Sequence, residues 1–240
     1  NLWDSYDYYN DSVSTKWYEE GIFNVRKRFY IVSSFNDQGE TSSSTVIAKY
    51  KQNMTFKPGS TTKNWITIPV TMNQYSNAQD ILDALAPLTA ITFWNASSQQ
   101  AVACNRFSCP SGESCQDTLC NFAIIPGTSY EVEVNSTGPQ VVNWTLFGPV
   151  AARQNLSLQR SGSTGANWIS MHPNSSIKSV SHLMGSIGAD KASVINRWDP
   201  VNQRAEGWIN VWGGMGTNFS MADYEGYEVW VSQSVTWSQQ

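Results

Sequence analysis

The chain states one pattern twice, and that repetition limits what it can fold into more than any other feature. Ser60-Thr61-Thr62-Lys63-Asn64-Trp65-Ile66 and Ser163-Thr164-Gly165-Ala166-Asn167-Trp168-Ile169 open the two copies. A proline (Pro69, Pro173), a short amphipathic stretch and an Ile-x-x-Trp (Ile91 to Trp94, Ile195 to Trp198) follow in each. Asn-Phe (Asn121-Phe122, Asn218-Phe219) and Tyr-Glu-Val (Tyr130 to Val132, Tyr227 to Val229) complete them. Two copies of one β-rich module are expected. No reactive residue is held at the same place in both, so the duplication points to architecture rather than chemistry.

Within each copy the residue periods predict one small sheet covered by one short helix. The sheet is expected from the Trp-Ile strand, a hairpin through Ile-x-x-Trp and the Tyr-Glu-Val strand. Asn95-Ala96-Ser97-Ser98 and Asp199-Pro200-Val201-Asn202 read as the Asx turns of the two hairpins. Ala78, Ile81, Leu82 and Leu85 share one helical face after the cap Ser76-Asn77, with Pro87 as a stop. Ile177, Val180, Met184 and Ile187 do the same after Ser175-Ser176, with Gly188 as a stop. Trp65, Trp168, Trp94 and Trp198 recur at equivalent positions and are expected in the cores of the copies.

Before the first copy, Phe29-Tyr30-Ile31-Val32 and Thr45 to Tyr50 alternate with the period of strands around the turn Asn36 to Gly39. The run Arg28 to Ser42 resembles the last two strands of a fibronectin type III or immunoglobulin-like domain. A complete sandwich of that class needs about 100 residues, and too few precede the first copy to supply one. The segment is therefore either a minimal sheet packed on the first copy or one that lacks strands.

Asn167-Trp168-Ile169-Ser170, Trp198-Asp199-Pro200 and Tyr224-Glu225-Gly226-Tyr227, with weaker counterparts in the first copy, resemble a β-module recurrent in secreted and surface proteins of bacteria and archaea. That resemblance implies a structural or adhesive role and carries no catalytic residues. The organisation expected is an N-terminal β-arm at 1–21, the immunoglobulin-like hairpin segment at 22–51, repeat 1 with a cysteine loop at 52–150 and repeat 2 at 151–240. The arm scatters Leu2, Trp3, Tyr6, Tyr8 and other aromatics among Asp and Ser, and pairs either within its own subunit or with a neighbour by strand addition.

Charge and composition exclude several partners. Net charge is −4 and no run of Lys or Arg occurs, which leaves no electrostatic footprint for nucleic acid. No apolar stretch approaches the roughly 20 residues of a membrane span. Charged residues make up only 14% of the chain, the balance of a secreted β protein, and a start at Asn1 fits a mature product. Asn-x-Ser/Thr occurs at Asn10, Asn53, Asn95, Asn135, Asn143, Asn155, Asn174 and Asn218, and N-glycans are expected on several. Asn143 is the weakest of these, because Val141 to Phe147 reads as a strand with apolar residues on both faces.

The four cysteines lie in one segment, Cys104-x4-Cys109-x5-Cys115-x4-Cys120. The spacing is not a zinc knuckle, and two disulfides are expected. A nested pair suits the symmetry, while all three connectivities stay open. Repeat 2 carries Trp208 to Gly216 at the corresponding place.

No hydrolase, phosphate-loop or dinucleotide motif occurs, and neither His172 nor His182 has a counterpart in the other copy. No cofactor, metal or catalytic residue is expected. Asp4, Asp7, Asp11, Asp223 and Glu225 lack the spacing of a calcium loop and read as solvated carboxylates. Trp208, Trp212 and Trp230 are not duplicated and are the candidates for a subunit or ligand contact. The function expected is a secreted, glycosylated, non-enzymatic protein that self-associates into a filament, thread or surface layer. A carbohydrate-binding or adhesive module is the alternative, since exposed aromatics stack on sugar rings.

Overall fold

A computed structural model describes residues 26–36, 39–57, 60–72, 74–106, 122–135 and 141–239. The protein is mainly β, with fourteen strands and two short helices among these residues. The N-terminal arm, including Leu2, Trp3, Tyr6, Tyr8 and Asn10, and the cysteines Cys109, Cys115 and Cys120 lie outside them.

Strands β1 (Lys27–Asn36) and β2 (Gly39–Thr55) form the expected hairpin. Its third strand comes from the same chain: β7 (Val141–Pro149) pairs with β2 from Ile47 to Thr55, giving the order β1-β2-β7. β2 thereby runs through the boundary expected at residues 51 and 52. The reason is burial, since Ala48, Tyr50 and Met54 alternate inward and join the first core.

That core is closed by an antiparallel sheet of order β3-β6-β4-β5, made of Thr62–Thr67, Ser129–Val134, Leu88–Asn95 and Gln100–Asn105. Helix α1 (Ala78–Ala84) covers it with Ala78, Ile81 and Leu82. Asn77 caps the helix by accepting from the Asp80 amide, and the Asp80 carboxylate returns to the Asn77 amide at 3.1 Å.

The second half repeats the order. β9 (Ala166–Ser170), β13 (Gly226–Val231), β10 (Ala192–Asp199), β11 (Arg204–Ile209) and the short β12 (Met215–Gly216) are neighbours in that sequence. The pair β8 (Asn155–Leu158) and β14 (Val235–Ser238) takes the place of β2 and β7. Helix α2 spans Val180–Ile187 and begins later than the sequence implies, with Ser179 rather than Ser175 or Ser176 as its cap. The Ser175 hydroxyl instead accepts from the Ile177 amide, making a local turn. Ser179 bridges to Ser220 and the Val180 amide donates to Phe219, so the helix starts where a strand contact fixes it.

Buried polar groups repeat as faithfully as the strands. Asn64 clamps both backbone groups of Thr55 at 2.9 Å, and Asn167 does the same for Gln159 at 2.7 and 3.0 Å. Tyr130 accepts from the Ile125 amide at 2.8 Å and stacks on Phe122, while Tyr227 accepts from the Ala222 amide at 2.6 Å and stacks on Phe219. Burial pushes the Tyr130 hydroxyl up to about 12, and Tyr227 moves the same way. Both stay neutral hydrogen-bonding groups at any physiological pH.

Candidate interaction surfaces

The duplicated tryptophans are half-buried and lie between the two sheets rather than inside either core. Trp94, Trp168, Trp65 and Trp198 form one row, with successive centroids 6.1, 5.8 and 5.7 Å apart. Each such contact contributes about 0.5–1.5 kcal/mol beyond the area it buries. Their repetition marks a shared contact and not a shared core, which corrects the sequence expectation.

Reciprocal hydrogen bonds flank the row. The Trp94 indole donates to Ala166 O at 2.7 Å, and the Trp198 indole donates to Lys63 O at 2.8 Å. Gln99 accepts from the Ala166 amide at 2.9 Å and donates to Ala166 O at 3.0 Å. Gln203 accepts from the Lys63 amide at 2.8 Å and donates to Lys63 O at 3.0 Å. Each half thus presents a hairpin turn to the other half's edge strand, β3 or β9, and satisfies backbone groups that would otherwise lie open. Both glutamines hold positive φ (54° and 53°), a conformation uncommon outside glycine. Sequence reasoning missed them, although Gln99 and Gln203 stand five residues after the repeated tryptophans.

The turns carrying these glutamines are the expected Asx turns. Asn95 Oδ1 accepts from Ser97 and Ser98 at 3.1 and 3.2 Å, and Asp199 Oδ1 accepts from Val201 and Asn202 at 2.9 and 3.1 Å. Because an aspartate does the same work in the second half, the turn alone accounts for Asn95.

Asp223 is buried and Glu225 half-buried, rather than both being solvated. Asp223 is 6% exposed and accepts from Lys27 Nζ at 2.7 Å and Tyr50 OH at 3.1 Å. Arg26 stacks over Tyr224 at 4.5 Å, so the root of β1 is tied to the second half by two contacts. Burial raises the Glu225 carboxyl above its ordinary value against the pull of Tyr227 and Arg197. A cavity of about 220 Å3 lies beside Asp223, lined by His172, Lys178 and Met171 among others. Burial holds His172 below its ordinary value; its Nδ1 accepts from the Asn174 amide and its Nε2 donates to Ala151 O. Among the described residues no group of three or more His, Cys, Asp or Glu could hold a metal ion. No helix among them is long and apolar enough to cross a membrane.

The three tryptophans expected at a subunit or ligand contact divide. Trp230 is half-buried on β13 opposite Val194 and Ala166. Trp208 packs on the second core, and its ring lies where a Cβ on Gly214 would fall, 2.0 Å away. Only glycine fits there, and φ is +111°. Trp212 stands 95% exposed at the tip between β11 and β12 with φ 48°. Val211, Ile209 and Met215 beside it are 41, 45 and 50% exposed, and Ile209 pairs directly with Met215. Asn210 anchors the base of this tip: its amide donates to Ser193 O at 2.8 Å and its side chain to Ala192 O at 3.2 Å.

Comparison with protein families, characterised proteins and solved structures finds no match. Asn53, Asn135, Asn143, Asn155, Asn174 and Asn218 are exposed, and Asn95 is half-buried in its turn. On β7 the inward residues are Trp144 and Leu146, so Asn143 faces out together with Val141 and Phe147. Cys104 is buried on β5 and is not a free thiol.

Proposed function

We propose that this chain is a secreted, glycosylated, non-enzymatic structural protein that self-associates in an extracellular filament, pilus-like thread or surface layer. On this reading its halves are two copies of one module, the first preceded by an immunoglobulin-like hairpin. The observation that carries it is the β11–β12 tip. Four exposed apolar side chains cluster there, and Trp212 keeps a left-handed backbone that costs about 1–3 kcal/mol while its ring stays 95% exposed among the described residues. Asn210 ties the base of the tip to β10, and rigid mounting lowers the entropy cost of association. The aromatic arm, Leu2 to Tyr8, supplies a second contact by strand addition.

A carbohydrate-binding or adhesive module is the second reading, favoured by the same exposed indole. Electron microscopy of the purified full chain, with a glycan-binding panel, separates the two. Ordered polymers without glycan binding are expected. Monodisperse particles that bind a glycan through Trp212 would overturn self-association and establish the second reading.

A further inference from the structure

The outer face of the β1-β2-β7 sheet carries a pair of sequons that no other part of the described structure brings together. Asn53 on β2 and Asn143 on β7 are direct cross-strand partners, and both are exposed. Opposed residues on adjacent strands hold their Cβ atoms about 4.5–5.5 Å apart on one face. The sequon hydroxyls follow two residues on, and the period of a strand puts Thr55 and Thr145 on that same face. The register places Thr55 opposite Val141 and Thr145 opposite Lys51. Exposed apolar side chains bracket the pair on β7: Val141 is 41% and Phe147 54% exposed. The residues that alternate with the sequon positions along the two strands, Gln52, Met54, Trp144 and Leu146, are buried, so derivatising the outward amides leaves the core untouched.

We propose that Asn53 and Asn143 are a paired glycan-bearing site whose sugars cover Val141 and Phe147 and keep this sheet face in solvent within any assembly. The proposal rests on the secreted reading above. In the transfer step the Asn side-chain Nδ2 bonds to the anomeric carbon of a lipid-diphosphate-linked sugar. The carbon–oxygen bond to the diphosphate breaks, the lipid diphosphate leaves, and the amide gives up one proton. The two modified amides then project from neighbouring strands, and their sugar rings lie along the apolar strip. Asn95 is the contrasting case. Its side chain is half-buried in a turn that packs on Ala166 across the seam, so a glycan there would have to fit between the two halves, and it is expected to stay unmodified.

Glycopeptide mass spectrometry of the native protein tests this. Glycan on both Asn53 and Asn143 in the same molecules, with Asn95 bare, is the expected result. Asn53 or Asn143 bare while other exposed sequons are occupied overturns the paired site and leaves the secreted reading standing. Every sequon bare overturns both. Enzymatic removal of the glycans from the folded protein should raise binding of an apolar dye, and a Phe147→Ser variant should reduce that rise. Dye binding unchanged by deglycosylation would overturn the covering role.

Discussion

The seam between the two sheets and the tip of the β11–β12 hairpin use tryptophan in opposite ways. At the seam each indole stacks on another ring, and Trp94 and Trp198 donate to backbone carbonyls across it. At the tip Trp212 is 95% exposed on a strained residue. The seam is written twice in the sequence and the tip once. Repetition marks what the halves do to each other, and at the unrepeated tip an indole is left in solvent, which is where the proposed contact with a partner is placed.

Trp65→Ala should break the seam most severely. It removes contacts to both Trp168 and Trp198 and leaves Glu131 without the indole donor at 3.0 Å. A loss of about 3 kcal/mol is expected in chemical denaturation. Trp94→Ala, which removes the stack on Trp168 and the hydrogen bond to Ala166 O, should cost less. Equal losses would mean that the four rings do not act as one row.

Gln99→Ala and Gln203→Ala sharpen the comparison between halves. Each abolishes a two-way clamp on one residue of the opposite edge strand, and each should cost about 1–2 kcal/mol. The two values should agree closely, since the bonds are reciprocal. A large effect from one and none from the other would break the equivalence of the halves.

His172, in the cavity beside Asp223, gives a smaller, pH-dependent effect. Burial lowers its folded pKa from the ordinary 6.5, so below pH 6.5 the unfolded chain takes up a proton that the folded chain does not. The stability from neutral His172 is full above 6.5 and is lost as pH falls through the lowered folded value. Thermal melts between pH 7 and 5 should decline for the native chain, and His172→Gln should flatten that part of the slope. An unchanged slope in the variant would assign the decline to other groups.

Much of the seam's scaffold was legible in the sequence. The strand periods, both Asx turns and the cap at Asn77 read correctly because each depends on residues close in the chain. The four tryptophans were misplaced for a definable reason. A position repeated in two copies is equally consistent with burial inside each and with contact between them, and only the relative placement of the sheets decides. Ser175 mimicked a helix cap because a serine that turns the chain satisfies the same local amide, and the true start depends on the distant Ser220. The completion of β2 by β7 was out of reach too, since it joins residues about ninety positions apart. Trp212 was separable from Trp208 and Trp230 only in three dimensions, where the fold buries part of two and none of the third.

The smallest effect on stability is expected at the tip, and there the largest effect on association should appear. Trp212→Ala should leave stability within about 0.5 kcal/mol of the native chain. Sedimentation velocity of the full-length native and Trp212→Ala proteins, across a hundredfold range of concentration, is the most direct measurement of the central claim. The native chain should shift to larger species as concentration rises, while the variant stays monomeric with an unchanged melting temperature. Assembly by the variant that matches the native chain, or a native chain monomeric throughout, would contradict it.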